Sequence, residues 1–189
     1  MSNKLILIGA STGGPGHLDR IFRALPGDFE VPVVIAQHIN EQFLPTLCES
    51  LSQASAGLRV KMAEMRAPLE RGGYMTHRGV NRFCKEPRPL MLDRSIACGD
   101  HAPSIDELFF SARALLEQRV EVLAVLLTGI GHDGAEGLSL LRQAGALTLA
   151  ESEESAIVYG MPRAAIEQGA AMQVLNLDGI IGAIGEFGR

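Results

Sequence analysis

Short, unbroken apolar runs recur along this chain, and stretches whose apolar positions repeat every three or four residues lie between them. "KLILIG" (4–9), "VPVVIAQH" (31–38), "EVLAVLLTG" (121–129) and "ALTLAES" (146–152) show no alternation of polar and apolar residues. They read as strands buried on both faces. After the first, "PGHLDRIFRALP" puts Leu18, Ile21, Phe22 and Leu25 on one helical face, with Pro15 suited to a first turn. After the second, "NEQFLPTLCESLSQ" spaces Phe43, Leu47 and Leu51 by four, predicting a helix that buries those three. "SIDELFFSARALLEQ" (104–118) predicts a helix opened by a capping box of Ser104 and Glu107. "AEGLSLLRQAG" predicts another that stops at Gly145, and "MPRAAIEQG" a short one that also ends on glycine. "AMQVLN" completes the pattern as a last strand and "DGIIGAIGEF" as a terminal helix. Between Arg59 and Asp93 the segments are shorter and punctuated by Gly72, Gly73 and Gly79, which predicts short strands and a hairpin.

Buried strands alternating with amphipathic helices specify an α/β fold. The expectation is a doubly wound, mostly parallel sheet with helices on both faces, a Rossmann-like three-layer arrangement carrying a small hairpin insertion. The 189 residues suffice for one domain spanning 1–189, and 47% hydrophobic with 21% charged residues is a soluble balance. A net charge of −5 argues against nucleic-acid binding. No basic start followed by a long apolar segment is present, so a soluble, cytoplasmic protein without membrane insertion is expected. Cys48, Cys84 and Cys98 are odd in number and widely spaced, which suits a reducing compartment and ordinary core or surface roles.

In a parallel sheet of this kind, ligands bind outside the carboxyl ends of the strands. The first strand delivers Ser11, the second His38, and the most apolar one feeds "GIGHDG", which holds His132 and Asp133. A serine, a histidine and an aspartate at one sheet rim are the components of nucleophilic acyl transfer: the imidazole takes the hydroxyl proton and the carboxylate orients the imidazole. A glycine-rich turn at a helix start also exposes backbone N–H groups to a developing oxyanion. Taken singly, each residue has a plainer reading. Ser11 or Thr12 serves as an N-cap, His38 as a hydrogen-bonded residue at a strand end, and Asp133 as a turn former or cap. "GASTGGPG" fits neither G-x-G-x-x-G nor a P-loop, which leaves nucleotide binding little support. It does satisfy G-x-S-x-G, but the order serine, histidine, aspartate differs from that of α/β-hydrolases. The five histidines form no metal-binding spacing, so neither metal nor cofactor is expected, and His17 and His77 read as surface residues.

The strings "IGASTGGPG", "VVIAQHI" with a phenylalanine soon after, "PSIDELFFSA" and "VLLTGIGHDGAEGLSLLRQAGALTLAESEESAIVYGMPRAAIEQGA" resemble the catalytic domain of the chemotaxis-type protein-glutamate methylesterases, the CheB family. The resemblance runs from Leu5 to about Leu177. It implies hydrolysis of glutamate γ-methyl esters on methyl-accepting chemoreceptors, with deamidation of receptor glutamines as a further activity. It also implies Ser11 as nucleophile, His38 as general base and then acid, and Asp133 as the orienter of His38. Thr12, Gly13, Ile130 and His132 would lie near the oxyanion and substrate. The family's usual partner, a phosphorylatable receiver domain in cis or in trans, is not expected within these residues, because the chain starts just before the first strand. Ile39, Ile130, His132 and Ala102 depart from the family pattern, as does the segment Tyr74 to Gly79, read here as a hairpin with an altered rim from Thr76 to Gly79. A non-catalytic receptor-binding module, or an esterase or amidase of small molecules, are the alternative readings.

Overall fold

Leu5, Ile6, Leu7 and Ile8 are all fully buried, and they share their burial between two faces of one strand, β1 (Lys4–Ala10). The structure is a computed structural model that describes residues 3–84, 89–95 and 103–189. The chain runs from β1 through α1 (Gly14–Ala24), β2 (Pro32–Gln37), α2 (Leu44–Ala54), β3 (Val60–Met62) and β4 (Gly72–Met75) to β5 (Val80–Phe83) and β6 (Leu92–Ser95). It continues through α3 (Ile105–Glu117), β7 (Glu121–Leu126), α4 (Ala135–Gln143), β8 (Leu147–Glu151), α5 (Met161–Glu167), β9 (Gln173–Leu175) and α6 (Leu177–Phe187).

Seven strands form one sheet in the order β3-β4-β2-β1-β7-β8-β9, and every pairing in it is parallel. Side chains alternate across a strand, so β1 feeds two separate cores. Leu5 and Leu7 join Ile105, Leu108 and Phe109 of α3 and Leu138 of α4 on one face. Ile6 and Ile8 join Leu18, Ile21 and Phe22 of α1, Leu51 of α2 and Ile180 of α6 on the other. Each such side chain contributes about 1.5–3 kcal/mol on burial, and β1, with its neighbours β2 and β7, is covered on both sides. This three-layer α/β arrangement is the one the apolar runs predict.

Three local expectations need correction. The buried face of α2 is Leu44, Cys48 and Leu51, while Phe43 is half exposed. A 3₁₀ turn over Glu41–Phe43 precedes α2, and Pro45 fits only the first turn of the helix, so Phe43 falls at the cap rather than on the core face. Tyr74–Gly79 is not a hairpin, because β4 pairs in parallel within the large sheet and the segment then crosses into β5. The antiparallel insertion is instead the two-stranded ribbon of β5 and β6. The capping box is half formed: Ser104 accepts the Glu107 N–H, but the Glu107 carboxylate pairs with Arg82 of β5. Ala102 and Cys98 lie outside the described residues.

Among the described residues, no helix is long and apolar enough to cross a membrane. Cys48 is buried, and burial pushes its thiol up to about 11, consistent with an inert core residue.

Candidate active site

The chain leaves β1 for α1 on one side of the sheet and returns for β7 on the other, so the strand order reverses between β1 and β7. This is where a parallel sheet opens a crevice beyond its strand ends. The last register pair of β1 and β2 is Ala10 with Gln37, and one step further come Ser11 and His38. The ladder continues into the loops, where His38 N–H donates to the Ala10 carbonyl at 2.9 Å and Ser11 N–H to the Thr128 carbonyl at 2.9 Å. Ser11 is thereby held between the ends of the two neighbouring strands.

The turn after Ser11 depends on Gly13, whose φ of +87° lies in the left-handed region. Gly13 is also the N-cap of α1, and no side chain caps this helix. The N-cap reading of Ser11 and Thr12 is therefore overturned. Ser11 contributes its backbone to the turn: its carbonyl accepts from Gly14 N–H at 2.9 Å and from Gln37 Nε2 at 2.8 Å, and Gln37 also reaches the His38 carbonyl at 3.1 Å. Gln37 is a buried amide that ties the two strand ends together, and its position as the polar residue closing "VVIA" was the available signal for it.

His38 Nε2 lies 2.7 Å from Asp133 Oδ2. Asp133 is 2% exposed and also accepts Ile105 N–H on Oδ2 and Asp106 N–H on Oδ1, each at 2.9 Å. Its role in capping is thus at α3, not at the helix it precedes, and Gly134 is the N-cap of α4. Burial alone would push the Asp133 carboxyl up. The hydrogen bonds from His38, Ile105 and Asp106 outweigh it and hold the carboxyl below the usual range. The positive end of α3 adds to the same preference for the ionised form. Asp106 in turn accepts Gly137 N–H at 2.7 Å in the first turn of α4, so the starts of α3 and α4 are bound to each other around the carboxylate. Burial, with the Asp133 charge nearby, pushes Asp106 up instead.

The far wall is the segment after β7. A Cβ on Gly129 would stand 2.6 Å from Ser11 Cβ and collide with Met161 Sδ, so only glycine lets this segment approach Ser11. Gly129→Ala is expected to lower stability by about 1–3 kcal/mol through overpacking and to displace Ser11. Thermal unfolding and the labelling rate of Ser11 by an activated phosphonate check this together, and unchanged labelling would show that the contact can relax harmlessly.

Thr12, Ile130 and His132 are exposed around this point, and Gly13 is half-buried. Among the described residues, no acceptor takes the backbone N–H of Thr12, Gly13 or Ile130. Ile130 and Ile157 are 65% and 66% exposed, and Ile157 packs against the turn at Gly13. Thr76, at the end of β4, is buried. His77 is half-buried with Nε2 2.9 Å from the Ala63 carbonyl, and is not the surface residue expected. His17 departs further from that expectation: it is 7% exposed and meets Glu151 inside the fold. Among the described residues, no group of three or more His, Cys, Asp or Glu side chains is placed to hold a metal ion.

Comparison with known proteins places these features among relatives. A family model described as CheB methylesterase matches residues 6–184. Protein-glutamate methylesterase/protein-glutamine glutaminase 6 of Anaeromyxobacter dehalogenans is 40% identical over 194 residues, covering 98% of this chain and 55% of the relative. The corresponding protein 2 of Carboxydothermus hydrogenoformans is 40% identical over 201 residues, covering 98% and 54%. The chain thus spans about half the length of the curated relatives it matches. The crystal structure of the Thermotoga maritima CheB methylesterase catalytic domain superposes with a TM-score of 0.87 at 32% identity, covering 98% of this chain and 99% of that one.

Proposed function

Because the chain belongs to the CheB methylesterase family, we propose that it is a serine hydrolase that removes methyl esters from glutamate side chains of methyl-accepting chemoreceptors, with Ser11, His38 and Asp133 as its catalytic residues. The observation that carries this reading is the 2.7 Å contact of His38 Nε2 with the buried Asp133 carboxylate, at the strand end next to Ser11.

Nε2 meets Asp133, and in this reading Nδ1 serves the reacting side. Ser11 Oγ attacks the ester carbonyl as His38 Nδ1 takes its proton, and the ionised Asp133 stabilises the imidazolium that forms. The backbone N–H groups of Thr12 and Ile130, which hold no acceptor of their own among the described residues, receive the oxyanion. Collapse of the tetrahedral intermediate breaks the C–O bond to methoxide, which leaves as methanol with the proton from His38. Water, deprotonated by His38, then hydrolyses the acyl-enzyme to the free glutamate. A glutamine side chain follows the same path with ammonia as the leaving group.

The exposed Ile130 and Ile157 beside the serine favour a macromolecular substrate. A receptor helix can cover such apolar side chains, whereas small-molecule sites are usually concave and enclosed. A phosphorylatable receiver domain, in cis or in trans, belongs to this reading as the regulatory partner, and the setting is the cytoplasm, where receptor methylation sites are found. The test is methanol release from membranes bearing methylated receptors, compared with release from a soluble methyl ester at equal ester concentration. Faster release from receptors is expected. Turnover of the soluble ester alone would make the protein a small-molecule esterase, and a folded protein that turns over neither would make it a binding module.

A further inference from the structure

Beneath the nucleophile turn lies a second histidine–carboxylate pair that the mechanism above does not use. Glu151, the last residue of β8, is fully buried. Its Oε2 accepts Thr128 N–H at 2.8 Å, and its Oε1 accepts Ser155 Oγ–H at 2.7 Å and stands 2.8 Å from His17 Nε2. Ser155 is itself fixed, its Oγ accepting Leu177 N–H at 2.9 Å at the start of α6 and its carbonyl lying 3.2 Å from His17 Nε2. A carboxylate so far from water is costly unless its oxygens are filled by donors, and here each oxygen has one or more.

The donors are not scattered. Thr128, held by Glu151, is the residue whose carbonyl accepts Ser11 N–H, and its Oγ1 donates to the Thr12 carbonyl at 2.8 Å. The same Oγ1 accepts Val158 N–H at 2.9 Å, so the segment bearing Ile157 is fixed from the same point. His17 lies in the first turns of α1, just past the turn, and its N–H reaches the Gly13 carbonyl at 3.4 Å. One carboxylate therefore grips both limbs of the turn: the entry through Thr128 and the exit through His17.

We propose that His17 and Glu151 are positioning residues for the nucleophile, the ion pair holding the Ser11–Gly13 turn in its reactive geometry through Thr128 and α1. Neither side chain contacts the reacting atoms in this reading, which rests on the assignment of Ser11 above.

The pair gives the positioning a pH dependence of its own. The hydrogen bond His17 donates to Glu151 raises it above the ordinary histidine value, against the opposing effect of burial. The charged groups acting on it are Glu151 from β8 and Arg20 from its own helix, which disfavours protonation and is itself bonded to Asp178 of α6; the Ser155 carbonyl favours it. A raised folded-state value means that the contribution of the imidazolium is complete below about 6.5 and is lost as the pH rises through the folded value. Reactivity therefore falls at the alkaline end as His17 loses its proton.

The test is the labelling of Ser11 by an activated phosphonate across pH 5–10, in the wild type, His17→Gln, Glu151→Gln and the double variant, with thermal unfolding recorded alongside. Phosphonate labelling needs the nucleophile but no receptor, so it separates this proposal from the choice of substrate. The expected result is that either single variant remains folded and loses on the order of ten-fold in maximal labelling rate, short of the hundred-fold that a misplacement of about 1 Å can cost. Its affinity for the reagent should be unchanged, its alkaline decline should disappear, and the double variant should be no slower than the singles. Folded His17→Gln and Glu151→Gln proteins that label at the wild-type rate with the wild-type alkaline limb would overturn the proposal, as would a loss confined to the unfolding temperature. A wild type that never labels would overturn the nucleophile assignment and this inference with it.

Discussion

Ser11→Ala is expected to give a folded protein that releases no methanol from methylated receptors, a loss of roughly 10⁶-fold where a serine hydrolase acts through its nucleophile. The structure also says why the fold should survive. Every hydrogen bond described above for Ser11 is made by its backbone, to Thr128, Gly14 and Gln37, and alanine keeps all of them. Had Ser11 been the N-cap of α1, the same change would cost about 1 kcal/mol of stability. Gly13 occupies that position, so the unfolding temperature should barely move. Methanol release and thermal unfolding on one preparation decide the matter, and retained release would mean that another group attacks the ester.

Asp133→Asn is expected to lower the rate on the order of 10⁴-fold, as the equivalent change does in a serine protease. Both Asp133 oxygens face donors only: His38 and Ile105 meet Oδ2, and Asp106 meets Oδ1. An amide must turn its NH₂ toward one side or the other. Turned toward His38, it sets a donor against Ile105 N–H as well, makes Nε2 the acceptor and moves the ring proton to Nδ1, the nitrogen that accepts the serine proton in the proposed mechanism. Turned the other way, it sets a donor against Asp106 N–H and costs about 1–3 kcal/mol for the buried groups left unpaired. The first arrangement destroys the base and the second loosens it. Steady-state kinetics, together with nitrogen NMR of the His38 tautomer, would distinguish them, and a rate near that of the wild type would mean that some other group orients the imidazole.

Much of this site was legible in the sequence because strand ends are legible. Apolar runs buried on both faces mark the strands, and the first residues after "LILIGA", "VVIAQ" and "VLAVLLTG" must emerge at one rim if the strands are parallel. The same rule, applied to "ALTLAE", would have singled out Glu151, a carboxylate at the end of an apolar strand. Acyl transfer by a serine, a histidine and an aspartate calls for no second acid there. His17 was read as exposed for a related reason. A helix face is inferred from its hydrophobes, and a histidine among them reads as polar until its buried partner, 134 residues further along the chain, is seen.

Other features depended on how separate segments come together. The sequence marks Ser104 as a helix start and Asp133 as a loop acid, but only the packing of α3 beside α4 turns Ile105 and Asp106 N–H toward Asp133. A repeat of four puts Phe43 on the buried face because it does not say where a helix begins, whereas Pro45 with the preceding 3₁₀ turn does. Gly129 looked like a strand terminator. The room its missing Cβ leaves for Ser11 appears only when β7 and β1 are side by side.

The sequence by itself therefore determined the parallel three-layer fold and the three residues brought to its rim, since both follow from local periodicity and from the rule that strands expose their ends. Tertiary structure alone decided the lowered carboxyl of Asp133, the contact of His38 Nε2 with it, and the bonds of His17 and Glu151 around the turn. Those depend on which donors fill a buried carboxylate, and the donors come from helices and strands far apart in the chain.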